Sequence, residues 1–120
     1  MRRLDDTTTA FKRSLLNAFS FVEAFRELRP DIQMHTASVF LLVAMKPGIA
    51  QRDLLGLLDI SQATLSRDIS ALTAIDRHGK PGLNLIAQHR NPVDARNSML
   101  YVTTEGNALL AQLLPIAKLQ

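Results

Sequence analysis

Two short apolar-faced segments on either side of a tight break, within Gln51 to Leu72, constrain this chain more than any other feature. In the first, Leu54, Leu55 and Leu58 share one helical face. In the second, Leu65, Ile69 and Leu72 recur at i, i+4 and i+7, the spacing of a single buried stripe. Asp59-Ile60 makes the turn, with Ile60 filling the corner, and Ser61 is placed to cap the second helix. The pattern predicts a helix-turn-helix. At about 100° per residue, Arg67 points away from the buried stripe, with Ala63 and Ser70 to one side and Gln62 and Ser66 towards its rim. A solvated helix more often carries Glu and Lys there. An outer face of small and hydrogen-bonding residues with one arginine suits entry into a DNA major groove.

Upstream, about Thr8 to Leu28 carries Phe11, Leu15, Ala18, Phe19, Val22, Phe25 and Leu28 at helical spacing. Thr7 to Thr9 offer an N-cap, and Arg29-Pro30 stops the helix because the residue before proline is pushed out of the α region. Only Phe40 among the phenylalanines lies outside this helix. So aromatic a stripe serves either core packing or a subunit interface, and the small remainder of the chain favours the interface. Asp31 or Thr36 starts a second, almost wholly apolar helix that runs to about Met45 and is ended by Lys46-Pro47-Gly48. Ile49 can bridge a small sheet before the helix-turn-helix.

Downstream, Leu83 to Gln88 reads as a strand and Ser98 to Thr103 as its antiparallel partner. Between them His89 to Asn97 is polar, basic at Arg90 and Arg96, and too long for a tight hairpin. Thr103 to Gly106 opens a last helix bearing Leu109, Leu110, Leu113 and Leu114. The fold class is therefore mainly α with a small antiparallel β-hairpin, a winged helix-turn-helix. Residues 1–120 form one such domain, with a helix at each end of it. The recognition helix covers about 61–75 and the wing about 83–103.

This arrangement resembles the MarR family of transcriptional regulators. Gln51-Arg52-Asp53-Leu54-Leu55, followed by Leu58 to Arg67, is similar to that family's recognition segment. Asp94-Ala95-Arg96 resembles the Asp-x-Arg of its wing, and Leu100-Tyr101-Val102-Thr103-Thr104-Glu105-Gly106 resembles its strand-to-helix signature Leu-x-Leu-Thr-x-x-Gly. Order and spacing hold from about His35 to Leu114. The resemblance implies a homodimer, interleaved through helices at about 8–28 and 104–118, that sets two winged helices over a pseudo-palindrome. It also implies repression relieved by a small-molecule effector. Carried over by position, Ser61, Gln62, Thr64, Ser66 and Arg67 face DNA, Arg96 is the wing arginine, and Arg90 lies beside it. Asp94 supports the wing by holding Arg96 through a charge-assisted hydrogen bond. Asp59 stands where the turn of this fold usually has glycine, and aspartate tolerates a left-handed backbone. The link from recognition helix to wing is expanded by Thr73 to Pro81, which brings Arg77, His78 and Lys80 either as a solvated loop or as a further phosphate contact.

Bulk properties agree with a nucleic-acid partner without demanding one. A formal net charge of +3 is mild. Between Lys46 and Asn97 seven Lys/Arg stand against five Asp, so a binder of this kind relies on dimerisation to enlarge its footprint. The absence of cysteine excludes disulfides and thiolate metal sites. His35, His78 and His89 lie on different elements with no acid at a metal-ligand spacing, so neither a metal nor a cofactor is expected. No glycine-rich phosphate loop, nucleophile elbow or carboxylate pair is present, and the chain reads as a non-enzyme. The N-terminus meets acids and threonines instead of a signal peptide's apolar run, and the longest apolar stretch is far short of a membrane span. A cytoplasmic protein without a membrane partner is the expectation. Double-stranded DNA is the expected ligand. The alternatives are an accessory protein of phage or plasmid replication or nucleic-acid processing with little sequence preference, and a protein-interaction module that binds no DNA.

Overall fold

A computed structural model describes residues 2–94 and 97–113, with side chains from residue 8. The elements follow in the order α1 (Arg2–Leu28), α2 (Met34–Met45), β1 (Ile49–Ala50), α3 (Gln51–Leu57), α4 (Gln62–Leu72), β2 (Ile86–Arg90), β3 (Ser98–Val102) and α5 (Thr104–Leu113). They divide into two compact units, one within 1–31 and 109–120, the other spanning 32–108. Among the described residues no helix is long and apolar enough to cross a membrane.

In the first unit α1 begins at Arg2, not near Thr8. Thr7 to Thr9 have helical backbone and do not cap it. Each threonine costs only a few tenths of a kcal/mol in a helix, less than extending a helix already nucleated returns. Phe25 is buried, with the Phe21 ring tilted against it at 5.3 Å between centroids.

The second unit is built on the helix-turn-helix. Phe40, Val39 and Val43 of α2, Leu54 of α3, Leu65, Ile69 and Leu72 of α4, and Ile86 and Leu100 of the sheet are essentially removed from water. Each such side chain contributes roughly 1.5–3 kcal/mol of transfer free energy. α2 packs on α4 and β3, which is why it is apolar along nearly its whole length. Its N-cap is Gln33 rather than Asp31 or Thr36, and Thr36 lies buried in its first turns.

The hairpin is part of a three-stranded antiparallel sheet of order β1-β3-β2, because Ile49 and Ala50 pair with Leu100 and Met99. β2 pairs with β3 from Ile86↔Val102 to Arg90↔Ser98. Leu83 to Leu85 are not strand, contrary to the alternating pattern. The Leu83 and Leu85 N–H groups donate to the carbonyls of Ala71 and Leu72 at 2.9 and 2.8 Å, and Asn84 between them is left-handed at φ 55°. These backbone donors finish α4 instead of the ladder. The turn before α4 also differs from expectation. Leu58 is extended and Asp59 is not left-handed, so the position needs no glycine.

Gly106 explains the final signature residue. A Cβ there would sit 2.3 Å from the Leu85 carbonyl oxygen and 2.6 Å from Val102 Cγ1, so only glycine lets the start of α5 approach the sheet this closely.

Candidate nucleic-acid interface

α4 is a well-terminated helix. Ser61 is its N-cap, with Oγ accepting from the Thr64 N–H at 3.0 Å and donating to Thr64 Oγ1 at 2.9 Å. Two residues expected on the binding face, Ser61 and Thr64, are thus joined to each other, and they fix where the helix starts. The other end stops at Leu72, short of residue 75. Thr73 there leaves the helical region and its hydroxyl donates to the Ser70 carbonyl at 3.0 Å. This satisfies one of the carbonyls that a helix end leaves unpaired.

The outer face holds Gln62, Ala63, Ser66 and Arg67, all exposed. Ser70 is different. It is partly covered, and its Oγ accepts the Arg77 N–H at 2.6 Å.

The inner face contains a residue that periodicity alone passed over. Asp68 is 3% exposed and accepts from Thr36 Oγ1 at 2.7 Å. His35 Nδ1 lies 2.7 Å from its Oδ2. One carboxylate therefore ties α4 to the first turn of α2 and sets the angle at which the outer face is presented. The signal was available: Asp68 lies three residues after Leu65 and four before Leu72, on the buried stripe. What sequence could not supply was the partner, more than thirty positions away.

Asn91 organises the described part of the wing tip, residues 91–94 and 97. Its Oδ1 accepts the N–H groups of Val93 and Asp94 at 2.8 and 3.1 Å, and the Asn97 N–H donates to the Asp94 carbonyl at 3.0 Å. Asn91 was missed in the sequence, although an Asx turn before proline is a recognisable signal. Arg90 is exposed at the end of β2, where it pairs with Ser98. Ala95 and Arg96 lie outside the described residues. The three histidines make separate contacts on different elements. His35 meets Asp68, His89 sets its ring edgewise on Tyr101 at 5.2 Å, and His78 Nε2 accepts from Arg77 Nε at 3.3 Å.

The α4–β2 link is a structured hairpin. Ile75 bridges to Pro81, the Asp76 N–H donates to the Lys80 carbonyl at 2.8 Å, and the Gly82 N–H donates to the Ala74 carbonyl at 3.0 Å. Asp76 Oδ1 accepts the N–H groups of His78 and Lys80 at 2.8 and 2.9 Å. The Lys80 N–H is the main reason the Asp76 carboxyl is held below the ordinary carboxylate range. Desolvation opposes the shift, and the His78 N–H and the neighbouring charges reinforce it. Two of the five aspartates counted against DNA binding are thereby turned inward, Asp68 to α2 and Asp76 to its own turn.

Comparison with known proteins gives a consistent picture. The chain is 30% identical to the transcriptional regulator HosA of Escherichia coli O111:H-, with 78% of this chain and 74% of that protein aligned. Among solved structures, it matches the transcriptional repressor CouR bound to a 23-mer DNA duplex with a TM-score of 0.61 and 28% identity. That match covers 87% of this chain and 67% of CouR. It matches MarR with a TM-score of 0.63 and 18% identity, over 93% of this chain and 75% of MarR, a likeness of fold. No protein-family model matches the chain.

Proposed function

The chain belongs to the MarR family of transcriptional regulators, and from that premise we propose that it binds double-stranded DNA sequence-specifically as a homodimeric repressor. The observation that carries this reading is α4, a capped helix buried through Leu65, Asp68, Ile69 and Leu72 that leaves Gln62, Ala63, Ser66 and Arg67 exposed. That face enters the major groove. Arg67 donates two parallel N–H bonds to guanine O6 and N7, and Gln62 and Ser66 bond base edges or phosphates. Ser61 and Thr64 stand at the helix N-terminus, where backbone dipoles favour a phosphate. Arg90 and Arg96, with Asp94 as brace, bring the wing to the adjacent minor groove or its phosphates. CouR, similar in sequence and fold, is a repressor seen on duplex DNA, which supports both the ligand and the sign of regulation. Relief by a small-molecule effector completes the reading, as the family resemblance implies.

The dimer rests on α1. Phe11, Leu15, Phe19 and Val22 follow one another at helical spacing and are 62%, 53%, 63% and 41% exposed. Left bare, such a stripe is an aggregation liability; the same stripe on a second copy covers it about a two-fold axis. Leu15→Glu combined with Phe19→Glu therefore yields monomer by sedimentation equilibrium and loses binding to a palindromic site.

Selection from a random duplex library at fixed salt tests the function directly, with a single enriched pseudo-palindrome as the expected result. Arg67→Ala then lowers affinity for the enriched site by about 1–3 kcal/mol and relaxes one base position. Absence of enrichment, or preference for single strands in competition, removes the proposal and favours an accessory role in nucleic-acid processing.

A further inference from the structure

We propose that the Ala74–Gly82 hairpin is a second wing, which places Arg77 and Lys80 on the DNA phosphates that flank the recognition helix; this rests on the reading of α4 as a DNA-binding helix. The first support is order. The Ile75–Pro81 bridge, the backbone bonds of Asp76 and Gly82 and the Asp76 carboxylate inside the turn fix the hairpin without using any cationic side chain. A cationic loop held in one conformation loses less entropy on meeting a phosphate than a mobile one does.

The second support is attachment. Ser70, one turn after Ser66 on α4, accepts the Arg77 N–H, and Thr73 Oγ1 contacts both the Ser70 and Ile75 carbonyls at 3.0 and 3.1 Å. The hairpin therefore moves with the recognition helix. Its base is packed too tightly to swing: a Cβ on Gly82 would lie 2.0 Å from the Thr73 carbonyl oxygen.

The third support is placement and chemistry. A shallow groove of about 320 Å³ is lined by Ser66 and Ser70 of α4, by Asp76 and Arg77 of the hairpin, and by Gln51 and Gln88. Hydroxyls, amides and one guanidinium line this groove together with the Asp76 carboxylate and the Ile69 and Ile75 side chains, and a sugar-phosphate strand presents acceptors to the donors among them. Arg77, His78 and Lys80 are exposed, while the one acid of the hairpin spends its Oδ1 on two backbone N–H groups. Arg77 contacts His78 through Nε, so this contact does not use the paired Nη donors suited to bidentate phosphate recognition.

The test uses the full-length protein and a duplex carrying the site that the wild-type protein selects, with its flanks. Binding is measured by fluorescence anisotropy across a salt series for wild type, Arg77→Ala, Arg77→Ala/Lys80→Ala and Arg67→Ala. Residue 77 keeps its N–H bond to Ser70 in the alanine variants, so the thermal midpoint of the free protein should not change. Each lost phosphate contact reduces the slope of log K against log salt by about 0.9 and affinity at 0.1 M salt by about eightfold, on all sequences alike. In the homodimer Arg77→Ala removes two contacts and should lose roughly sixtyfold, the double variant removes four and should lose roughly four-thousandfold, and hydroxyl-radical protection should shrink at the outer flanks. If Arg67→Ala weakens specific binding while the hairpin variants keep the wild-type slope and footprint, the second wing is refuted and the recognition helix stands. If the wild-type protein shows no salt-dependent duplex binding, both readings fall together.

Discussion

Replacing Asp68 with alanine should be among the most damaging polar substitutions in the second unit. The carboxylate is 3% exposed and Thr36, its hydroxyl donor at 2.7 Å, is 4% exposed, so neither group can turn to bulk water when the other is removed. A hydrogen bond to a charged acceptor contributes about 1.5–3 kcal/mol, and an orphaned buried hydroxyl costs about 1–3 kcal/mol. Thr36 can recover part of that by bonding a carbonyl one turn earlier in α2, which argues for the lower half of the second range. The His35 contact adds little, because that side chain is 37% exposed and solvent screens it. The net expectation is a loss of about 2.5–5 kcal/mol, out of the roughly 5–15 kcal/mol typical of a whole domain. Urea denaturation at pH 7 and fixed protein concentration measures it. Asp68→Asn, which keeps an oxygen for Thr36, should lose about 1 kcal/mol. Asp59→Ala, at an exposed acid three residues before α4, should change stability by less than about 0.5 kcal/mol. Equal effects at Asp59 and Asp68 would refute the claim that one buried carboxylate fastens α4 to α2.

Two further outcomes follow from individual contacts. Gly106→Ala should destabilise by about 1–3 kcal/mol, because its Cβ would meet the Leu85 carbonyl, which is backbone and cannot step aside cheaply; thermal unfolding reads this, and an unchanged midpoint contradicts it. The Asp76 carboxyl, held down chiefly by the Lys80 N–H, should titrate by NMR below the ordinary aspartate value of about 3.9. A lowered folded value means its contribution is fully present above the unfolded value and is lost as pH falls through the folded one. The amide signals of His78 and Lys80 should therefore shift over that acid window in wild type and not in Asp76→Asn. A midpoint at or above the ordinary value contradicts the turn geometry.

Much of this architecture is written in local periodicity. The stripe of Leu65, Ile69 and Leu72, the cap at Ser61 and the exposed position of Arg67 depend on residues within a few turns of one another, and the structure keeps all of them. Boundaries were less legible. The pattern from Leu83 to Gln88 alternates like a strand, yet the N–H groups of its first half bond the carbonyls at the end of α4. Thr7 to Thr9 look like a cap and are helix, since propensity is weak against extension of a long amphipathic element. The link from Thr73 to Pro81 could be placed by sequence and not shaped by it.

By itself the sequence determined a helix-turn-helix followed by a wing, the helix that offers its face outward, and an apolar N-terminal stripe in excess of what a small core needs. Only the tertiary structure decided where the charges lie. In a linear tally Asp68 and Asp76 are acids like the others; in the fold one is buried against Thr36 and His35 and the other closes its own turn, while Arg67, Arg77 and Lys80 are exposed. The reason is one of range. Helical spacing is set by neighbours three and four residues away, whereas a buried carboxylate is made tolerable by donors that chain topology brings from more than thirty residues off.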